Sequence, residues 1–285
     1  MSRKHLNLVF PQWQGGGKDR SPYYGAKEFC ELYLNPALVT EIAVDMEEAP
    51  DTIHHIFGYQ PIIRQLQRAH DFLNQEAPDT LFTLGGSCDA NIPPVAYLNR
   101  KFAGDMTVLW FDSHGDLNTP LSSPSKHFFG MPLRTLLGDG DDWIVGNLPS
   151  TLMSGQVVLM GARDLDPEEK SYIDRCAIPV LTVSDIEQSV EGVLDAVRLK
   201  GSRNLYIHID LDVLEPAQFP YVPVPVPGGL AMDTLQTLLG MLNTEFNLVG
   251  LGVMEYKPTG KTRYRLFEEI CKIGTGLSAT DQSYS

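Results

Sequence analysis

The chain has 285 residues, 43% of them hydrophobic and 20% charged, which is enough apolar material for a full core at a length where α/β sheets commonly form one domain. With 22 Lys and Arg against 36 Asp and Glu, the formal charge of −14 argues against nucleic acid and membrane surfaces as partners, because polyanions select basic surfaces. No window approaches the roughly 18 apolar residues of a membrane span, and four widely spaced cysteines without a CxxC pair fit a reducing compartment, so one cytoplasmic domain over residues 1–285 is expected.

Short apolar runs recur at 6–10, 41–45, 80–84, 107–112, 156–161, 179–183, 204–210 and 248–255, and each reads as a buried strand. Helix-like stretches lie between them. Residues 61–75 place Ile62, Leu66, Ala69 and Leu73 on one face, and residues 184–200 do the same with Ile186, Val190, Val193, Leu194 and Val197. Alternating strand and helix predicts an α/β fold with a mostly parallel sheet. The segment 216–227, with Pro220, Pro223, Pro225 and Pro227 directly after a strand, predicts a stiff ordered loop of the kind that flanks ligand sites.

Acidic residues and histidines collect at the ends of three strands. In Trp110-Phe111-Asp112-Ser113-His114-Gly115-Asp116, the residues Asp112, His114 and Asp116 are two apart and share one face of an extended chain. The run ending in His208-Ile209-Asp210-Leu211-Asp212 repeats the device, and a third strand ends in Glu255. In a parallel sheet these groups converge at the carboxyl edge. Carboxylates packed together lose their charge unless cations lie among them, and oxygens with an imidazole suit a pair of divalent ions such as Mn²⁺.

The DxHxD segment, the DxD segment, the preceding Gly85-Gly86 turn and Glu255 together resemble the ureohydrolase family of arginases, agmatinases and formiminoglutamases. The resemblance runs from about residue 81 to 258. It implies a three-layer αβα fold with an eight-stranded, mainly parallel sheet, a dinuclear manganese centre, and trimers or hexamers. Carried over by position, Asp112 and Asp210 would bridge both metals, Asp116 would complete the first site and orient the attacking hydroxide, and His114 with Asp212 would complete the second. Glu255 would hold the guanidinium. Asn118 and Ser125 resemble the arginase contacts to a substrate α-carboxylate, and Asp166 and Glu169 those near its α-amino group, so an arginine-like amino acid is the implied substrate.

Several positions depart from that pattern. Cys88 stands where a first-site histidine is expected; a thiolate there would favour softer ions such as Zn²⁺, and the alternative is an unligated buried thiol. Phe129 occupies the place of a proton-shuttling histidine, with His127 two residues earlier as a substitute if the loop bends. Val224 replaces a threonine and His208 a small hydroxyl residue. A first-site cysteine is also a feature of the Nω-hydroxy-arginine hydrolases of D-cycloserine biosynthesis, a narrower resemblance. The expected activity is therefore hydrolysis of a guanidino C–N bond to urea or a urea analogue plus ornithine. Agmatinase or formiminoglutamase activity, or a catalytically impaired binding protein, are the alternatives.

Overall fold

The computed structural model describes residues 3–47 and 51–277. Its strands are β1 (His5–Phe10), β2 (Val39–Glu41), β3 (Thr52–Ile53), β4 (Ile56–Phe57), β5 (Thr80–Gly85), β6 (Met106–Phe111), β7 (Val157–Met160), β8 (Val180–Leu181), β9 (Asn204–Asp210) and β10 (Asn247–Met254). Eight of these form one sheet in the order β2-β1-β5-β10-β9-β6-β7-β8, and every pairing in it is parallel. The remaining two, β3 and β4, make a small antiparallel hairpin. The helices are α1 (Ser21–Tyr33), α2 (Tyr59–Glu76), α3 (Ile92–Lys101), α4 (Pro132–Leu136), α5 (Asp142–Gly146), α6 (Pro167–Cys176), α7 (Val183–Gln188), α8 (Val190–Arg198), α9 (Met232–Glu245) and α10 (Arg265–Gly276).

Parallel strands need crossovers, and helices laid over both faces leave the central strands buried on either side, so their sequences read as continuous apolar runs. Along each strand alternate side chains divide between two cores. Leu81, Val108, Trp110, Leu159 and Tyr206 pack with α2, α3 and α6 on one face. On the other, Phe82, Leu109, Phe111, Leu205, Ile207 and Ile209 pack with α1, α8, α9 and α10. The result is the three-layer αβα arrangement with an eight-stranded sheet.

All eight sheet strands coincide with the apolar runs of the sequence, with one displaced. The run expected at 41–45 pairs at Val39–Glu41 instead. The last ladder bond there runs from Ile42 N to Val9 O, after which the chain turns out and Asp45 accepts from Arg64 at the surface. The helix expected over 184–200 is two helices, because Ser189 takes an extended conformation and caps the second with its hydroxyl, accepting from Gly192 N at 2.9 Å. The proline-rich segment is ordered as expected. Arg163 fastens it to the end of β9, donating to Val226 O (2.7 Å) and Pro227 O (3.1 Å) on the loop and to Asp212 O (2.9 Å).

Candidate metal centre

The four central strands β5, β10, β9 and β6 are neighbours in the sheet, and the first residues beyond their carboxyl ends meet. Cys88 opens the turn after β5, Asp112, His114 and Asp116 follow β6, Asp210 ends β9 with Asp212 just beyond it, and Glu255 follows β10. Their donor atoms fall into three overlapping groups, each with all atoms within 4.8 Å of one another: Cys88, Asp112, Asp116 and His208; Cys88, Asp210 and Glu255; Asp112, His114 and Asp212. Cys88 Sγ donates to Asp210 Oδ2 at 3.0 Å, and Glu255 accepts from Cys88 N at 3.1 Å. His114 Nδ1 lies 3.0 Å from Asp212 Oδ2 and 3.4 Å from Asp112 Oδ1. Backbone amides fix the acids further: His114 N donates to Asp112, Ser113 N to Asp212 and Asp212 N to Asp210. Asp116 and Glu255 both hold positive φ, 54° and 63°, a conformation costly for side-chain-bearing residues and tolerated where the surroundings force it.

Five acids this close, all nearly closed to solvent, are electrostatically incomplete on their own. Burial, followed by neighbouring carboxylates, holds Asp116, Asp210 and Glu255 well above the usual carboxyl range and raises Asp112 as well. The same two causes push the Cys88 thiol up. Burial by itself would lower His114, but hydrogen bonds to Asp112 and Asp212 outweigh it and push its imidazole up to about 12. Asp112 Oδ2 and Asp116 Oδ2 are buried with no hydrogen-bond partner. Orphaned carboxylate oxygens facing a thiol and an imidazole are what divalent cations would satisfy, so the donor set fits such ions.

Asp210, Asp212 and Glu255 form the floor of a cavity of about 240 Å³, walled by Gly16, Asp19, Pro22, His127, Phe129, Pro223 and Val224. A larger cleft of about 760 Å³, lined by residues such as His5, Tyr33, Arg263 and Lys272, contains none of the clustered acids. His127 is half-buried, and burial lowers its pKa. Its ring lies over Gly17, whose φ is 86° and where an added Cβ would fall 2.6 Å from Nε2, so only glycine fits beneath it. Of the four head-group candidates none lines this cavity. Asn118 donates to Asp166 at 2.8 Å, Ser125 Oγ accepts from His127 N at 3.2 Å, and Glu169 spends its two oxygens on Leu117 N and Asp166 N.

Residues 31–267 match the model of the arginase family. The chain belongs to the arginase family. It is 28% identical over 246 residues to an arginase of Staphylococcus aureus (strain MRSA252), covering 84% of this chain and 81% of that one. With an arginase of Bacillus subtilis (strain 168) it shares 34% identity over 202 residues, 66% of this chain and 67% of the relative. A crystal structure of Entamoeba histolytica arginase in complex with L-ornithine superposes with a TM-score of 0.85 at 19% identity, covering 98% of this chain and all of the other. As a member of this family the chain is a hydrolase acting on amidines. Among the described residues no helix is long and apolar enough to cross a membrane.

Within this arginase-family site one residue had a legible signal that the motif pattern passes over. His208 alternates with Asp210 and Asp212, and it is fully buried against Cys88, with Nε2 3.6 Å from Sγ. The other unassigned histidines lie elsewhere: His5 bonds Thr80 and Asn7, and His54 pairs with Asp141.

Proposed function

We propose that this arginase-family hydrolase cleaves the guanidino C–N bond of an arginine-like amino acid, such as Nω-hydroxy-L-arginine, releasing urea or a urea analogue and ornithine. The observation that carries the reading is the convergence of Cys88, Asp112, His114, Asp116, Asp210, Asp212 and Glu255 in one buried cluster, of which Asp210, Asp212 and Glu255 open onto a small cavity. In this reading Cys88 and Asp116 would hold a first ion, His114 and Asp212 a second, and Asp112 and Asp210 would serve both. Mn²⁺ suits the oxygen-rich second site, while Cys88 draws a softer ion such as Zn²⁺ to the first. Divalent ions, when bound, neutralise the carboxylates and acidify a water.

The protein's own groups then do the rest. Glu255, held by Cys88 N at 3.1 Å, meets the guanidinium from the cavity floor. Asp116 accepts a hydrogen bond from the attacking water and aims it at the guanidino carbon. As the C–N bond breaks, the departing amine needs a proton, which Phe129 cannot give; His127, on the cavity wall and held neutral by burial, accepts one from the water and returns it to the amine. Assembly as a trimer or hexamer belongs to the same reading.

A second reading, a substrate without the amino-acid head group such as agmatine, draws on the engagement of Asn118 with Asp166 and of Glu169 with backbone amides. The test is metal analysis with a colorimetric urea and ornithine assay over arginine, Nω-hydroxy-arginine, agmatine and formiminoglutamate. Silence on all four with two ions bound per chain refutes the hydrolytic reading. Loss of activity on the amino acids but not on agmatine in Asn118→Ala supports the head-group assignment.

A further inference from the structure

Beside the candidate first site lies a buried polar chain that neither the reaction nor the ligand set above uses. Tyr206 OH donates to Asn91 Oδ1 at 2.5 Å, and Asn91 Nδ2 lies 2.8 Å from His208 Nδ1. With its oxygen committed to Tyr206, Asn91 presents a donor to the imidazole, so Nδ1 accepts and the proton of the neutral ring sits on Nε2. That nitrogen is the one 3.6 Å from Cys88 Sγ. The ring plane is fixed by stacking on Trp110, with centroids 3.5 Å apart and planes 6° from parallel. Space for the chain is kept by β10: an added Cβ at Gly252 would lie 2.6 Å from Asn91 Oδ1, and one at Gly250 would lie 2.3 Å from the Tyr206 ring. Four residues from three elements are thus arranged to aim a single N–H at one sulfur.

We propose that His208 is a positioning residue for the first metal site, its Nε2–H hydrogen-bonding to the Cys88 sulfur so that a buried thiolate can serve as ligand among four neighbouring carboxylates. The inference rests on the reading of Cys88 as a ligand. A thiolate brings a full negative charge where an imidazole would bring none, and it has no hydrogen of its own to satisfy a donor-poor surrounding. An N–H directed at the sulfur withdraws part of that charge, as hydrogen bonds to metal-bound sulfur do generally. Outer partners of this kind are worth about 10–100-fold in metal affinity. Asn91 and Tyr206 matter because they set which ring nitrogen carries the proton.

The test uses the whole chain loaded with Co²⁺, whose sulfur-to-metal charge-transfer band reports thiolate ligation directly. In the wild type the band is expected, and it disappears in Cys88→Ser. His208→Ala should keep the band, move it to longer wavelength, and weaken Co²⁺ binding at the first site about 10–100-fold. Asn91→Asp replaces the donor with an acceptor, moves the ring proton to Nδ1, and should shift the band the same way, which keeps the idea testable if His208→Ala does not fold. Histidine ¹⁵N spectra of the ¹¹³Cd²⁺-loaded protein should show the proton on Nε2. A band at the wild-type position with unchanged affinity in both His208→Ala and Asn91→Asp overturns the role of His208 alone, as does cadmium coupling to a His208 nitrogen, which would make the ring a direct ligand. Absence of the band in the wild type instead removes Cys88 as a ligand, and with it the basis of the inference.

Discussion

Removing the metal should leave a protein whose stability falls as pH rises, and His114 sets the size of the effect. Its side chain is 21% exposed, lies 3.0 Å from Asp212 Oδ2, and in the absence of ions carries a pKa pushed up to about 12 against an ordinary 6.5, because its hydrogen bonds to Asp112 and Asp212 outweigh the opposing effect of burial. A raised folded-state pKa means that the folded protein holds one more proton than the unfolded chain between about 6.5 and 12. Its contribution is therefore complete below pH 6.5 and lost progressively above it, at about 1.4 kcal/mol per pH unit. Between pH 6.5 and 8.5 that amounts to about 3 kcal/mol, or a fall in Tm of roughly 5–12 °C for a domain of this size. Asp116, Asp210 and Glu255, raised by burial and by one another, act with the same sign. His5, His70, His127 and His208, all lowered by burial, act with the opposite sign until their unfolded-state imidazoles are deprotonated at about pH 7.5, so they offset part of the fall in the first unit of this window and none of it above. The assay is thermal unfolding followed by circular dichroism on chelator-treated and reconstituted protein. Reconstituted protein should lose the slope, since a ligating imidazole is deprotonated in the folded state. A Tm of the metal-free protein that stays flat or rises from pH 6.5 to 8.5 refutes the reasoning.

Asp210→Asn should abolish dinuclear binding and turnover together, since a neutral amide cannot screen two cations held at one bridge; metal analysis after gel filtration reads it, and two retained ions would exclude Asp210 as a bridge. Cys88→His replaces a soft anionic donor by a harder neutral one, so Mn²⁺ titration by calorimetry should show tighter first-site binding, with Mn²⁺-supported turnover on arginine increased. His127→Ala should lower kcat about 10²–10⁴-fold with metal content unchanged, the range for loss of a general acid–base group, and an unaltered pH–rate profile would remove His127 from proton transfer. Gly252→Ala drives a Cβ to 2.6 Å from Asn91 and should lower the Tm measurably, the cost of overpacking being about 1–3 kcal/mol.

The sheet was legible because its strands are buried on both faces, which leaves runs such as Met106–Phe111 and Asn204–Asp210 apolar from end to end. The cluster of acids was legible for a related reason: alternating polar residues at the end of an apolar strand must share a side, and a parallel sheet brings such ends to one edge. Sequence spacing says less about anything set by a loop. The break at Ser189 depends on a hydroxyl cap that competes with an otherwise continuous helical face. Asn118, Ser125 and Asp166 lie in loops, and nothing in their order shows that Asn118 meets Asp166 or that Glu169 reaches Leu117 N; only the capping-box spacing from Asp166 to Glu169 foretells the bond from Asp166 N. His208 carried the same alternation signal as Asp210, but its partner Cys88 is 120 residues away, and only the register of β9 beside β10 and β6 places imidazole and thiol together.

The departures from the arginase pattern fall in two places, and each has its own chemical consequence. Cys88 and His208 are a contact pair on one side of the cluster, while His114 lies with Asp112 and Asp212 on the other. Phe129 and Val224 line the cavity together with His127, so two of its wall positions are apolar and cannot hydrogen-bond a leaving group or a guanidinium. A substrate that needs less help from the cavity wall suits such a site. An Nω-hydroxyl supplies its own donor and acceptor beside the scissile carbon, and it makes the guanidino group less basic and the carbon more electrophilic. In the proposed reading, with Cys88 as a ligand, such a wall would suit a hydroxylated guanidine better than arginine itself, and the ratio of kcat/KM for the two substrates, compared between wild type and Phe129→His, tests it. A ratio that moves toward arginine in the variant supports the assignment, and one that does not move refutes it.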